Sequence, residues 1–189
     1  KRAGAQERRE KQKKKVEQRE ACEKMKKIAI IMGSDSDFPV VKAAADTLQE
    51  LEIPFEVHVY SAHRTPEAVQ AFVSAARQNG FGVIIAAAGK AAHLAGVLAA
   101  GTTLPVIGIP MKSSALDGMD ALLSTVQMPP GIPVATVAID GAVNAALLAA
   151  EILAVSDDAV AEKLAAKREA GKQKVLAKNH AIEEQYPPL

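Results

Sequence analysis

Four short stretches concentrate the residues able to do chemistry: "GSDSD" (33–37), "SAHRTP" (61–66), "AGKAAHLAG" (88–96) and "MKSSALDG" (111–118). The first places the hydroxyls of Ser34 and Ser36 among two carboxylates, just ahead of Pro39. Hydroxyls and free backbone N–H groups at a helix start make an anion site. A carboxylate there accepts from a sugar hydroxyl or caps the helix, and Asp37 is better suited to that role than Asp35. Ordinary helix capping uses the same residue types, so this turn alone leaves both readings open.

"SAHRTP" is more specific. Arg64 can grip a phosphate through two parallel hydrogen bonds, Ser61 adds a hydroxyl, and His63 can give or take a proton near neutral pH. His58 sits inside the preceding apolar run and reads as structural. In "AGKAAHLAG", Gly89 permits close backbone approach, and His93 falls where a helix opens, placed to orient or donate to a substrate. Lys112, Ser113 and Ser114 are polar groups suited to closing over a ligand. Together the four stretches describe a site for a small phosphorylated sugar derivative undergoing acid–base chemistry.

Several chemistries lack their signatures. There is no GxGxxG for a dinucleotide and no GxxxxGK[ST] for a nucleoside triphosphate. No cluster has metal-ligand spacing, the single cysteine, Cys22, cannot form an internal disulfide, and no serine occupies a nucleophile elbow. Neither a cofactor nor a metal is expected.

The elements that must position these residues alternate. β-branched runs at 28–32, 55–60, 83–88, 106–110 and 133–139 are separated by helical patterns at 39–52, 66–79, 91–101, 116–125 and 142–154. Strands alternating with helices predict a parallel sheet, and near-continuous apolar runs predict strands covered on both faces. Right-handed crossovers then give a five-stranded, three-layer α/β/α sandwich. All four chemical stretches fall after a strand, where open α/β sheets bind ligands. A further charged helix over 157–180 lacks an obvious seat on this core and is expected to pack against a neighbouring subunit.

Aromatics make up only 3% of the chain against 49% hydrophobic residues, so the core must be built from Ala, Val, Ile and Leu. Charge is unevenly distributed. Residues 1–27 carry twelve Lys+Arg against five Glu, and the remainder carries eleven basic against seventeen acidic residues. "MKKIAII" from Met25 reads as a natural beginning, which makes 1–24 a basic appended extension, helical or disordered, ahead of a domain over 25–189. A solvated tail is the plainer reading of that extension, so no nucleic-acid or membrane partner is expected. No apolar run reaches the roughly 20 residues of a membrane helix. A reducing, cytoplasmic setting is the default expectation.

The strings "MGSDSD", "SAHRTP", "AAHL", "KSSALDGMDALLSTVQMPPGIPVATVAI" and "NAALLAAEIL" resemble the N5-carboxyaminoimidazole ribonucleotide mutases of purine biosynthesis, the PurE family, from about Met25 to the final helix. The resemblance implies a flavodoxin-like fold and a homo-octamer with sites formed between subunits. It also implies that carboxylate moves from the exocyclic nitrogen to ring carbon 4, through carbon dioxide released, held and recaptured without metal or nucleotide. Carried onto this chain, it makes Ser34, Ser36 and Arg64 phosphate contacts, Asp37 the ribose contact and His63 the catalytic acid–base. His93 acts beside it, and Ser61, Ala88, Gly89, Ala91 and Leu94 line the pocket for the base and carbon dioxide.

Two positions depart from the family pattern. Lys90, in the same pocket loop, stands where a second glycine is expected, and Ala95 where a proline is expected. Related carboxylases, which use free carbon dioxide, carry an Arg-containing loop there. The alternatives are therefore an aminoimidazole ribonucleotide carboxylase, or an oligomeric scaffold on this fold with reduced or no activity.

Overall fold

The computed structural model describes residues 25–186. The extension expected over 1–24 therefore lies outside the described residues. Five parallel strands form one sheet: β1 (Lys27–Met32), β2 (Phe55–Val59), β3 (Phe81–Gly89), β4 (Val106–Met111) and β5 (Ala135–Thr136), ordered β2-β1-β3-β4-β5. The helices are α1 (Phe38–Glu50), α2 (Pro66–Ala76), α3 (Leu94–Ala100), α4 (Met119–Val126), α5 (Ala142–Ala154) and α6 (Asp158–Gln185). This is the three-layer architecture the alternation predicts and the flavodoxin-like fold the resemblance implies.

The strand interiors are apolar on both faces because both faces are covered. Ile28, Ile30, Val83, Ile85, Ile107 and Ile109 point toward α1 and α5, while Ala29, Ile31, Ile84 and Ala86 point toward α2 and α3. Small residues set how near the helices come. On α5, Ala142, Ala145, Ala146, Ala149 and Ala150 are all buried, so the core is closed by helix proximity instead of aromatic bulk. On β4, a Cβ at Gly108 would stand 2.3 Å from Thr125 Cγ2, so only glycine lets α4 seat there.

Two expectations need correction. The strand predicted over 133–139 is confined to Ala135–Thr136. Pro133 has no N–H for the ladder, and beyond Val137, whose N–H donates to Gly108 O, the chain bends into a left-handed residue at Asp140 (φ 56°). The last helix is longer than 157–180, and its first turns do find a seat on this chain. Val160 and Leu164 are buried in the core, and Lys163, Lys167 and Arg168 pair with Glu52, Glu50 and Glu151. From Arg168 onward its residues are exposed.

The order β2-β1-β3 is what positions the site. The chain steps from β1 to β2 on one side and then crosses to β3 on the other side of β1, opening a crevice at the carboxyl end of β1.

Candidate active site

A cleft of about 630 Å³ opens at that crevice. The turn after β1 contributes Gly33, Ser34, Ser36 and Asp37, and the turn after β2 contributes Ser61, Ala62, His63 and Arg64. The turn after β3 adds Ala88, Gly89, Lys90, Ala91 and Leu94, and the segment after β4 adds Lys112 and Ser113. Eleven of the twelve residues selected from sequence line this cleft, and the twelfth, His93, touches it through His63.

The β1 turn is a short 3-10 segment, Asp35–Asp37, that runs directly into α1. Ser34 caps it: its Oγ accepts from the Ser36 N–H at 3.3 Å and from the Ser36 hydroxyl at 2.9 Å. Two hydroxyls are thus held side by side at the cleft. Asp37 is half-buried, and that burial raises its carboxyl above the ordinary carboxylate value. Hydrogen bonds from the Ser34 backbone and the Ser36 side chain oppose the shift, while the nearby charges of Asp140 and Asp35 add to it.

Arg64 joins the first two turns. Its guanidinium donates to Gly33 O at 2.8 Å, and its backbone N–H donates to Ser61 Oγ at 3.2 Å. Thr65 holds the same turn from below, its Oγ1 accepting from the Ser61 N–H at 2.8 Å. The cation therefore lines the same cleft as the serine pair, and no carboxylate among the described residues pairs with it, which leaves it able to accept an anion.

His63 and His93 meet across the crevice. Nε2 of His63 and Nδ1 of His93 are 3.1 Å apart, with the rings edge to face at 82°. His93 is the residue that caps α3, and both histidines are exposed, His63 on the cleft lining. A histidine pair beside an anion cradle can pass a proton to and from a bound molecule.

The small residues of the third turn keep the floor of the cleft close to the backbone. Gly89 ends β3 opposite Met111, whose carbonyl would lie 3.4 Å from an added Cβ. Lys90 follows with φ 54°, a left-handed conformation, and its residue is exposed. The sequence places Lys112 and Ser113 near a ligand without marking them as contacts, and it gives no sign of Asp140. Asp140 Oδ1 accepts from the Lys112 N–H at 2.9 Å and so fixes that wall. Asp140 carried no visible signal beyond a turn-forming "DG". No group of three or more His, Cys, Asp or Glu among the described residues could hold a metal ion.

A family model described as AIR carboxylase matches residues 27–174. The chain is 61% identical over 145 residues to an N5-carboxyaminoimidazole ribonucleotide mutase of Pyrococcus abyssi, covering 77% of this chain and 83% of that one. It is 57% identical over 151 residues to the Bacillus subtilis protein of the same name, covering 79% and 93%. A chloroplastic phosphoribosylaminoimidazole carboxylase of Vigna aconitifolia is 49% identical over 156 residues, but the match spans only 28% of that longer protein. Among solved structures, Treponema denticola PurE superposes with a TM-score of 0.74 at 27% identity, over 86% of this chain and 99% of that one.

Proposed function

This chain belongs to the AIR carboxylase family, and from that premise we propose that it is an N5-carboxyaminoimidazole ribonucleotide mutase acting in purine biosynthesis. It moves carboxylate from the exocyclic nitrogen to ring carbon 4, giving 4-carboxy-5-aminoimidazole ribonucleotide. The observation that carries this reading is the hydrogen-bonded His63–His93 pair set beside a cradle of two hydroxyls and an arginine.

In this reading Ser34, Ser36 and Arg64 hold the 5′-phosphate, and Asp37 accepts from the ribose. His63 gives a proton to the exocyclic nitrogen as the N–C bond breaks and carbon dioxide leaves. The electron-rich carbon 4 then attacks the trapped carbon dioxide, and His63 takes back the proton that carbon 4 loses. The balance closes with no net proton and no oxidant or reductant. His93 orients the His63 ring through the 3.1 Å contact. Ala88, Ala91 and Leu94 offer an apolar lining suited to neutral carbon dioxide, with Ser61, Gly89 and Lys90 completing the wall. The two high-identity relatives named above are mutases, which favours this reading over direct carboxylation.

The protein acts in the cytoplasm as a homo-octamer. No helix among the described residues is long and apolar enough to cross a membrane. Leu116, Met119, Leu123 and Val126, on and just before α4, are at least 46% exposed, an apolar row that suits a subunit contact. Light scattering on the full chain should report eight copies of a 19.8 kDa protomer, and a monomer would contradict the assembly.

The activity itself is tested by offering purified protein each of two substrates. N5-carboxyaminoimidazole ribonucleotide should be converted without added bicarbonate. Conversion of aminoimidazole ribonucleotide with bicarbonate alone would select the carboxylase instead.

A further inference from the structure

Three buried side-chain oxygens lack a hydrogen-bond partner among the described residues: Ser113 Oγ, Asp120 Oδ1 and Thr136 Oγ1. Of these residues, only Ser113 lines the cleft. A buried hydroxyl without a partner is costly, typically about 1–3 kcal/mol, and native proteins rarely leave one idle. At the wall of a binding cleft, an arriving ligand can supply the missing partner.

The fold says which end of the ligand Ser113 would meet. The phosphate cradle is built from the turns after β1 and β2, at one side of the sheet. Ser113 follows β4, and the β3–β4 pairing sets Gly89 opposite Met111, so the Lys112–Ser113 step leaves the sheet at the same end as Lys90 and lines the cleft with it. That is the opposite side of the cleft from Arg64. A ribonucleotide with its phosphate on Arg64 and its ribose on Asp37 directs its base toward this wall.

The wall is held in place by one residue. Asp140 Oδ1 accepts from the Lys112 N–H at 2.9 Å, and the Asp140 N–H donates to Pro110 O at 2.9 Å, so one residue clasps both ends of the β4 terminus. Asp140 does this from a left-handed conformation, which Asn and Asp tolerate better than other side chains. Lys112 itself is engaged at its other end, its ammonium 2.8 Å from Asp117. Within this two-residue wall, Ser113 is therefore the side chain with an unused polar atom.

We propose that Ser113 is a further substrate-binding residue, whose hydroxyl bonds the carboxylated, amino-bearing edge of the imidazole, and that Asp140 positions it. A hydroxyl suits that edge because it can donate to the carboxylate or accept from the amine. This assignment rests on the mutase reading given above.

Calorimetry with two probes tests it: 4-carboxy-5-aminoimidazole ribonucleotide, and ribose 5-phosphate, which lacks the base. Ser113→Ala should weaken the carboxylated ribonucleotide by about 10- to 150-fold, the range for a hydrogen bond to a charged group, and leave ribose 5-phosphate unchanged. Asp140→Ala should weaken the same probe selectively, and Asp140→Asn, which keeps an oxygen acceptor and tolerates the backbone, should restore most of the affinity. Equal affinity of Ser113→Ala and parent for both probes, or an equal loss for both, overturns the role of Ser113 while leaving the mutase reading standing. Failure of Asp140→Asn to recover what Asp140→Ala loses overturns the positioning role. A parent chain that binds ribose 5-phosphate but not the carboxylated ribonucleotide overturns the mutase reading, and this assignment with it.

Discussion

Nε2 of His63 and Nδ1 of His93 lie 3.1 Å apart, although thirty residues separate them in the chain. At that distance the N–H of one ring can donate to the other ring's nitrogen, the tautomers deciding which. The pair exists because β2 and β3 flank β1 on its two sides, and the turns that follow them converge over its end.

The pairing gives the first prediction. His63→Asn should lower turnover by about 100- to 10,000-fold, the usual contribution of a general acid–base group, while ribonucleotide affinity stays near that of the parent. Steady-state kinetics with calorimetry on the same variant checks both halves. More than a tenth of parental turnover would reject His63 as the proton carrier.

Arg64 is predicted to act mainly in binding. Arg64→Ala removes the cation from the cleft that Ser34 and Ser36 line and also the tie to Gly33 O. KM should rise by roughly 10- to 150-fold, with a smaller fall in kcat. An unchanged KM would place the phosphate elsewhere.

Asp37 links stability to pH. Burial raises its carboxyl, so the folded chain holds that proton more tightly than the unfolded chain does. The stabilising contribution is therefore fully present below the unfolded carboxylate range and is lost as pH rises through the raised folded value. At neutral pH the ionised group burdens the fold. Asp37→Asn should melt higher than the parent at about pH 7 and lose that advantage as pH falls toward about 3, while binding ribonucleotide more weakly. Thermal melts across pH decide it, and identical melting at every pH would contradict the burial effect.

Lys90 occupies a left-handed backbone with an exposed residue. Such a conformation costs a non-glycine residue roughly 1–2 kcal/mol. Lys90→Gly should therefore raise stability by up to about 1 kcal/mol, since glycine's larger unfolded-state entropy offsets part of the relief. Its turnover should at least match that of the parent. A denaturation midpoint below the parental value would show that the lysine is held by something the backbone does not reveal.

Much of this is legible in the sequence. The β-branched runs are too short and too apolar for surface helices, and the first three are followed directly by Gly33, Ser61 and Gly89, so the chemical turns can be placed at strand ends. What was not legible is contact across the sheet. Nothing in "SAHRTP" or "AAHL" announces that two imidazoles touch, because the distance depends on strand order. Asp140 escaped for the same reason, since its partner is a backbone N–H 28 residues away. The truncated fifth strand escaped because Val134 and Val137 have strand propensity, and only the ladder reveals that pairing stops at Thr136.

The central claim is that one cleft releases, holds and recaptures the same carbon dioxide. It is tested most directly with N5-carboxyaminoimidazole ribonucleotide carrying carbon-13 in its carboxylate, turned over once by excess protein in unlabelled bicarbonate. Retention of the label on carbon 4 of the product, read by mass spectrometry, is the result this account predicts. Product carrying unlabelled carboxylate, drawn from the bicarbonate pool, would contradict it.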